Sequence, residues 1–222
     1  MKIRAKYTKL GYLKYLSHLD LIRLFNRSLT RTNLPVKFSE GYNPHPKLSL
    51  GNPLPLGIES MCEYFDIELT ENISPNDFMI TLNKVLPKDI KIIEAFEIDE
   101  FTPSISTSIC ISVYDLVVDT VNLDEEVDYN LEITKFLNLE NIEIEKKKKK
   151  GRNKITAKVN IRPFLHKLSV EKIEKNIVKF NATVMTGEKG NIKPIELLKA
   201  IDFYTMIKLD LDSFEAIKID SF

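Results

Sequence analysis

Arg23, Arg27 and Arg31 are the first residues in this chain whose types and spacing could do chemistry. With Asp20 they fall at i, i+3, i+7 and i+11, which lines them along one face of a helix. Guanidinium groups in such a row can each hold a phosphate bidentately without touching a base. The same row also describes a solvated helix face on which Asp20 pairs with Arg23. Further on, Ser39-Glu40-Gly41-Tyr42-Asn43-Pro44-His45-Pro46-Lys47 gathers an aromatic ring, an amide, an imidazole and an ammonium. Asn43 and His45 each precede a proline, which pushes both toward extended backbone and stiffens the loop in advance. Tyr42, Asn43, His45 and Lys47 suit stacking and phosphate contact with an unpaired nucleic acid strand. The alternative is a rigid structural loop whose histidine satisfies backbone groups.

Evidence for autonomous chemistry is weaker. His18 falls in the first turn of the arginine helix, where the macrodipole disfavours its protonated form. A neutral His18 could serve as a general base if the fold brings His45 near it; each could equally be a structural hydrogen-bonding group. His18, His45 and His166 are too scattered for a metal site, and Cys62 and Cys110 make neither a disulfide framework nor a four-cysteine centre. No glycine-rich phosphate loop, HExxH or acidic metal loop occurs. The expectation is therefore a non-catalytic chain with no metal and no cofactor.

These residues need elements to position them. Residues 2–8 alternate polar and apolar, as a half-buried strand does. Ser17 followed by Asp20 is a capping-box pattern that starts the arginine helix. Ile22, Phe25 and Leu29 give that helix a core face, and Leu34-Pro35 ends it by about Asn33. A short strand at 36–38 leads into a long structured loop at 39–60, and loops of that length in compact domains usually carry function. A strand at 64–69, a helix opening at Ser74-Pro75 and running to about Leu86, and a strand at 90–98 complete β-α-β-β-α-β, the ferredoxin-like order.

The second half predicts the same order. Strands are expected at 105–118, 142–144, 154–161 and 177–185. Helices are expected at 124–138 and, as a short one, near Pro163. A charged turn at 146–152 separates the middle strands, residues 194–201 form an extra C-terminal helix, and the last twenty residues are ambiguous. The expected fold is α+β: two tandem ferredoxin-like units, 1–102 and 103–222, with that added helix.

Across the 222 residues, 32 Lys/Arg balance 32 Asp/Glu, but the balance is local nowhere. Residues 1–60 hold ten basic and three acidic side chains, a net of +7; residues 61–145 hold four and twenty, a net of −16; residues 146–222 hold eighteen and nine, a net of +9. Such asymmetry points to a polyanion partner or to charged faces that meet each other. The run Lys146–Lys150 with Gly151-Arg152 reads as a phosphate or acidic-surface contact, or simply as a soluble hairpin tip. An apolar share of 43% suits a soluble globular protein. With neither a run of eighteen apolar residues nor a secretory signal, a cytoplasmic location without membrane contact is expected.

Tyr15-Leu16-Ser17-His18-Leu19-Asp20 with Arg23 and Arg27, then Leu34-Pro35, Ser39 to Pro46, and Leu54-Pro55-Leu56-Gly57-Ile58-Glu59-Ser60 resemble the radical SAM-linked protein family. That family is a domain of unknown function found beside or fused to radical SAM proteins. Ile161-Arg162-Pro163 and Gly190 to Leu198 continue the resemblance. It implies a radical SAM protein as partner rather than an activity, because this chain has only two distant cysteines and cannot hold that enzyme's cluster. The combined expectation is an accessory protein that binds RNA through Arg23, Arg27, Arg31, Tyr42, Asn43, His45 and Lys47. Two other readings are a metal-independent endoribonuclease using His18 or His45, and a docking module with no RNA affinity.

Overall fold

The computed structural model describes residues 1–121, 127–150, 153–187 and 189–222, with the backbone alone for 147–150 and 153–155. The chain forms two compact units, Met1–Cys110 with Ile217–Phe222, and Ile111–Ala216.

The first unit opens with β1 (Lys2–Lys9), whose apolar residues Ile3, Ala5 and Tyr7 are fully buried. A 3-10 turn (Gly11–Tyr15) leads to α1 (His18–Thr30). The Ser17 side chain accepts the Asp20 N–H at 3.2 Å and donates to the Asp20 carboxylate at 2.7 Å. The expected cap therefore forms, with Asp20 reaching the serine hydroxyl rather than its backbone. Leu21, Phe25 and Leu29 turn inward, with Ile22 at the edge of the same core. Tyr7, Phe25, Phe65 and Phe78 form its aromatic centre, with successive ring centroids 5.0, 4.9 and 6.4 Å apart.

The strand expected at 36–38 is reduced to two isolated bridges, Val36 to Leu69 and Phe38 to Pro46. Pro46 has no N–H to continue a ladder, so the strand forms beyond the loop as β2 (Leu48–Leu50). β3 (Glu59–Glu68), α2 (Pro75–Asn83) and β4 (Ile90–Ile98) follow. The strands lie in the order β4-β1-β3-β2, antiparallel throughout. Buried Arg4 on β1 forks onto Asp66 of β3 at 2.7 and 2.9 Å and reaches the Pro103 carbonyl at 2.9 Å.

Residues 105–118 are not one strand. Ile105–Ser108 is a short helix, α3, and β5 (Ile111–Thr120) begins after it. Asn52 donates to the Ser106 and Ile109 carbonyls at 3.2 and 3.1 Å, which moves the first unit's edge from the expected 102 to 110.

In the second unit, α4 (Tyr129–Leu137) is capped by Asp128, and the part of the expected helix at 124–126 lies outside the described residues. β6 (Glu143–Lys150) and β7 (Asn153–Asn160) form a sheet of their own. This corrects two expectations. Residues 146–150 belong to a strand rather than a turn, and the strands expected at 142–144 and 154–161 do not enter the main sheet. The tip, 151–152, lies outside the described residues. Pro163 starts only one 3-10 turn (Arg162–Phe164), not a helix, and β8 (Leu165–Glu174) follows at once. Two register shifts along β8 break its alternation, which hides the strand from a period-two reading. Arg162 donates to the Leu137 carbonyl at 2.9 Å and so closes the end of α4.

β9 (Ile177–Met185), α5 (Pro194–Tyr204) and β10 (Leu209–Ser221) complete the chain. α5 is therefore internal, not an added C-terminal helix, and the ambiguous last residues are a long strand. The order here is β10-β5-β9-β8. β10 changes unit partway: its residues to Ala216 belong to the second unit, and Ile217 and Lys218 pair in parallel with Glu59 and Ser60 of β3. The fold is thus mixed α+β. Among the described residues no helix is long and apolar enough to cross a membrane.

Candidate functional site

The arginine stripe forms as the spacing predicts. Arg23, Arg27 and Arg31 are exposed, and all three line an open groove of about 780 Å3 along α1, with Leu16, Asp20, Leu24, Ser28, Thr30 and Pro87. Their states differ. Arg23 pairs with Asp20 at 2.9 Å, and Arg31 donates to the Val85 carbonyl at 2.8 Å and to Ser28 Oγ at 3.3 Å. Among the described residues Arg27 has no ion-pair partner. The Ser17 hydroxyl and the Arg23 guanidinium hold the Asp20 carboxyl below its usual range, so the groove carries one carboxylate against three guanidiniums.

The loop residues gather separately, and none of them lines this groove. Ser39 N–H donates to the His45 carbonyl at 2.8 Å, His45 N–H donates to Ser39 Oγ at 3.1 Å, and His45 Nδ1 lies 3.0 Å from that hydroxyl. This clasp supplies the stiffness expected from the prolines. It leaves Tyr42 fully exposed and Asn43 and His45 on the surface. Lys47 is drawn instead to Glu68, at 3.6 Å, which also pairs with Lys37 at 3.1 Å. Burial disfavours ionisation of Glu68, yet the two lysines outweigh it and hold the carboxyl below its usual range.

The two histidines have different surroundings. His45 is engaged within its own loop. His18 opens α1 near two buried charges, Glu63 and Lys9, and burial, opposed by Glu63 and reinforced by Lys9, lowers its pKa. The helix-dipole argument predicted that direction, and burial is the cause that outweighs Glu63 here. Cys62 is buried and its thiol is pushed up by that burial, the opposite of an activated nucleophile. Among the described residues no cluster of three or more His, Cys, Asp or Glu could hold a metal ion.

Around His18 lies a charged network that the sequence did not disclose. Glu63, almost wholly buried, accepts the Ser60 hydroxyl at 2.8 Å and pairs with buried Lys218. Buried Lys9 donates to the Leu16 carbonyl at 2.9 Å and the Lys14 carbonyl at 3.3 Å. Those carbonyls end the 3-10 turn, so Lys9 ties the turn, and with it the start of α1, to β1. The Gly11 N–H to Glu59 at 2.8 Å and the Gly57 N–H to the Lys14 carbonyl at 3.1 Å fix the same turn. Lys9 continues the alternation of buried Ile3, Ala5 and Tyr7, so period two alone turns it inward; what the sequence does not give is the pair of carbonyls that satisfies it.

A family model described as an uncharacterized protein conserved in bacteria, DUF2344, matches residues 2–194. No curated protein matches the chain. Two solved structures are similar in fold. The crystal structure of a Cbf5-Nop10-Gar1 complex has a TM-score of 0.53 at 11% identity and covers 99% of this chain and 48% of that one. The structure of an H/ACA RNP bound to a substrate RNA containing 2'-deoxyuridine has a TM-score of 0.50 at 10% identity, covering 99% and 47%. This chain thus spans about half the length of those it resembles.

Proposed function

The chain belongs to the DUF2344 family of uncharacterized proteins conserved in bacteria, and from that premise we propose that it is a non-catalytic protein that binds RNA by its phosphates along α1. The observation that carries this reading is that Arg23, Arg27 and Arg31 share one open groove, with Arg27 outside any ion pair among the described residues. Arg23 can exchange Asp20 for a phosphate at little cost, because an exposed i,i+3 ion pair contributes little to stability. The loop tip, with Tyr42, Asn43 and His45, supplies a second contact; Lys47, shared with Glu68, contributes less. We read the strand orders β4-β1-β3-β2 and β10-β5-β9-β8 as two ferredoxin-like units, the second interrupted by the β6–β7 hairpin. Fold likeness to an H/ACA RNP bound to a substrate RNA supports an RNA ligand. The partner implied by the radical SAM-linked resemblance completes the proposal: the chain presents RNA to that protein.

The test is affinity for bulk RNA as a function of salt. Three or four phosphates engaged on a single strand give a log–log slope of about −2 to −3. R23Q/R27Q removes two of them and should flatten the slope by about 1.4 without altering the fold. Arg31 is left in place, because its bond to the Val85 carbonyl makes its replacement a stability change as well. A weak, salt-independent response from the unmodified protein would refute RNA binding and leave the charge blocks as protein-docking surfaces.

A further inference from the structure

At the N-terminal end of the arginine groove the surface turns from charged to aromatic. Tyr12 is 88% exposed and Tyr15 61%. Both belong to the 3-10 turn Gly11–Tyr15, and side chains at i and i+3 of a 3-10 turn eclipse one another on one face. Leu19 (64%) and Leu56 (62%) extend the patch. A Cβ at Gly57 would lie only 3.7 Å from Tyr15 Cε1, which brings the segment carrying Leu56 against that ring. The Lys14 ammonium lies 5.6 Å from the centre of the Tyr15 ring. Large apolar side chains grouped on a surface mark a binding site more often than scattered ones do.

This patch is continuous with the phosphate groove. Leu16, the residue after Tyr15, lines the groove beside Asp20 and Arg23, and Leu19 precedes Arg23 by one helical turn. The backbone of the turn is also held, by Lys9, Glu59 and Gly57, so both tyrosines project from a fixed backbone. A cationic track of about 12 Å from Arg31 to Arg23 that ends on two exposed aromatic side chains is the arrangement that holds a single strand: the backbone lies on the cations and unstacked bases lie on the rings. A duplex keeps its bases stacked inside and offers nothing to such rings.

We propose that the ligand of the α1 groove is unpaired RNA, with Tyr12 and Tyr15 as the base-stacking platform and Arg23 and Arg27 as the phosphate contacts. The proposal rests on the RNA-binding reading above and specifies the form of RNA. It is tested on the full chain by fluorescence anisotropy, with an unstructured oligouridine against a hairpin duplex of equal charge. The single strand should bind at least tenfold more tightly. Y15A should lose roughly tenfold in affinity for it, Y12A/Y15A more, while Y15F stays near wild type, because stacking on an aromatic ring contributes on this order per base. Both alanine variants should keep the wild-type salt slope, since they remove no cation. Equal affinity for duplex and single strand, or Y12A/Y15A binding as wild type does while R23Q/R27Q still flattens the slope, overturns the stacking platform and leaves RNA binding standing. Loss of all salt-dependent RNA affinity in the wild type overturns both.

Discussion

The decisive residues in this molecule are charged ones that differ in what surrounds them. Arg23, Arg27 and Arg31 repeat along one helix, yet one pairs with a carboxylate, one is tied to a backbone carbonyl, and one has no ion pair among the described residues. His18 shows the same dependence. Burial lowers its pKa, Glu63 opposes and Lys9 adds to the effect. A histidine whose folded pKa lies below its unfolded one gains its proton first in the unfolded chain, so acid favours unfolding. Stability should therefore decline as pH falls from about 6.5 toward the folded value, and level off below it. Thermal unfolding of wild type and H18Q between pH 7.5 and 5 checks this: the wild-type melting temperature drops more steeply across that window. Parallel curves would mean that His18 contributes no pH dependence.

At the scale of elements, side chains far apart in sequence hold the segments that carry function. Lys9 fastens the 3-10 turn, and Arg162 closes α4. Gly190 has a comparable role in the second unit. A Cβ there would come within 2.6 Å of the Phe164 ring, so the absence of a side chain lets the segment before α5 pack flat on the turn before β8. G190A should cost about 1–3 kcal/mol through overpacking, measured by chemical denaturation of the full chain. An unchanged midpoint would show that the ring moves aside freely. The RNA groove belongs to the first unit and should keep its affinity in this variant.

For the whole molecule the informative element is β10, whose residues are divided between the two units. Its last residues bring Lys218 to Glu63 and the Ser221 hydroxyl to the Cys62 carbonyl at 3.2 Å, and the Phe222 carbonyl accepts the Cys110 N–H at 3.1 Å. Deleting 217–222 removes that ammonium from Glu63 and the pairing at Glu59 and Ser60, and should lower the stability of the first unit. Hydrogen exchange should then show β3 losing protection near Ser60 while β5 and β9 keep theirs. Equal loss in both units, or none, would refute this division. The uneven charge along the chain belongs to the same scale. The basic first sixty residues supply the α1 groove, whereas the acidic middle block is partly consumed by internal pairs such as Asp66 with Arg4 and Glu68 with Lys37.

Much of the first unit was legible from residues alone. β1, the Ser17 cap, α1 with its two faces, α2 and β4 all follow from local periodicity and capping, because each depends on neighbours within a few residues. The arginine stripe was legible for the same reason: helical spacing alone puts Asp20, Arg23, Arg27 and Arg31 on one face. Elements whose identity depends on distant partners were not legible. The second strand of the first unit lies beyond the loop, since Pro46 cannot extend a ladder. β8 is hidden by two bulges, and β10 changes partners midway. Alternation puts Lys9 in phase with buried Ile3, Ala5 and Tyr7, and Glu63 in phase with Phe65 and Ile67. Local pattern could not show what satisfies a buried charge, because the partners, the 3-10 turn carbonyls for Lys9 and Lys218 for Glu63, are brought there by the fold. Local sequence thus determined the helix that carries the candidate site. Only the tertiary structure decided which charges are already committed, and which turn sets two tyrosines at the end of the groove.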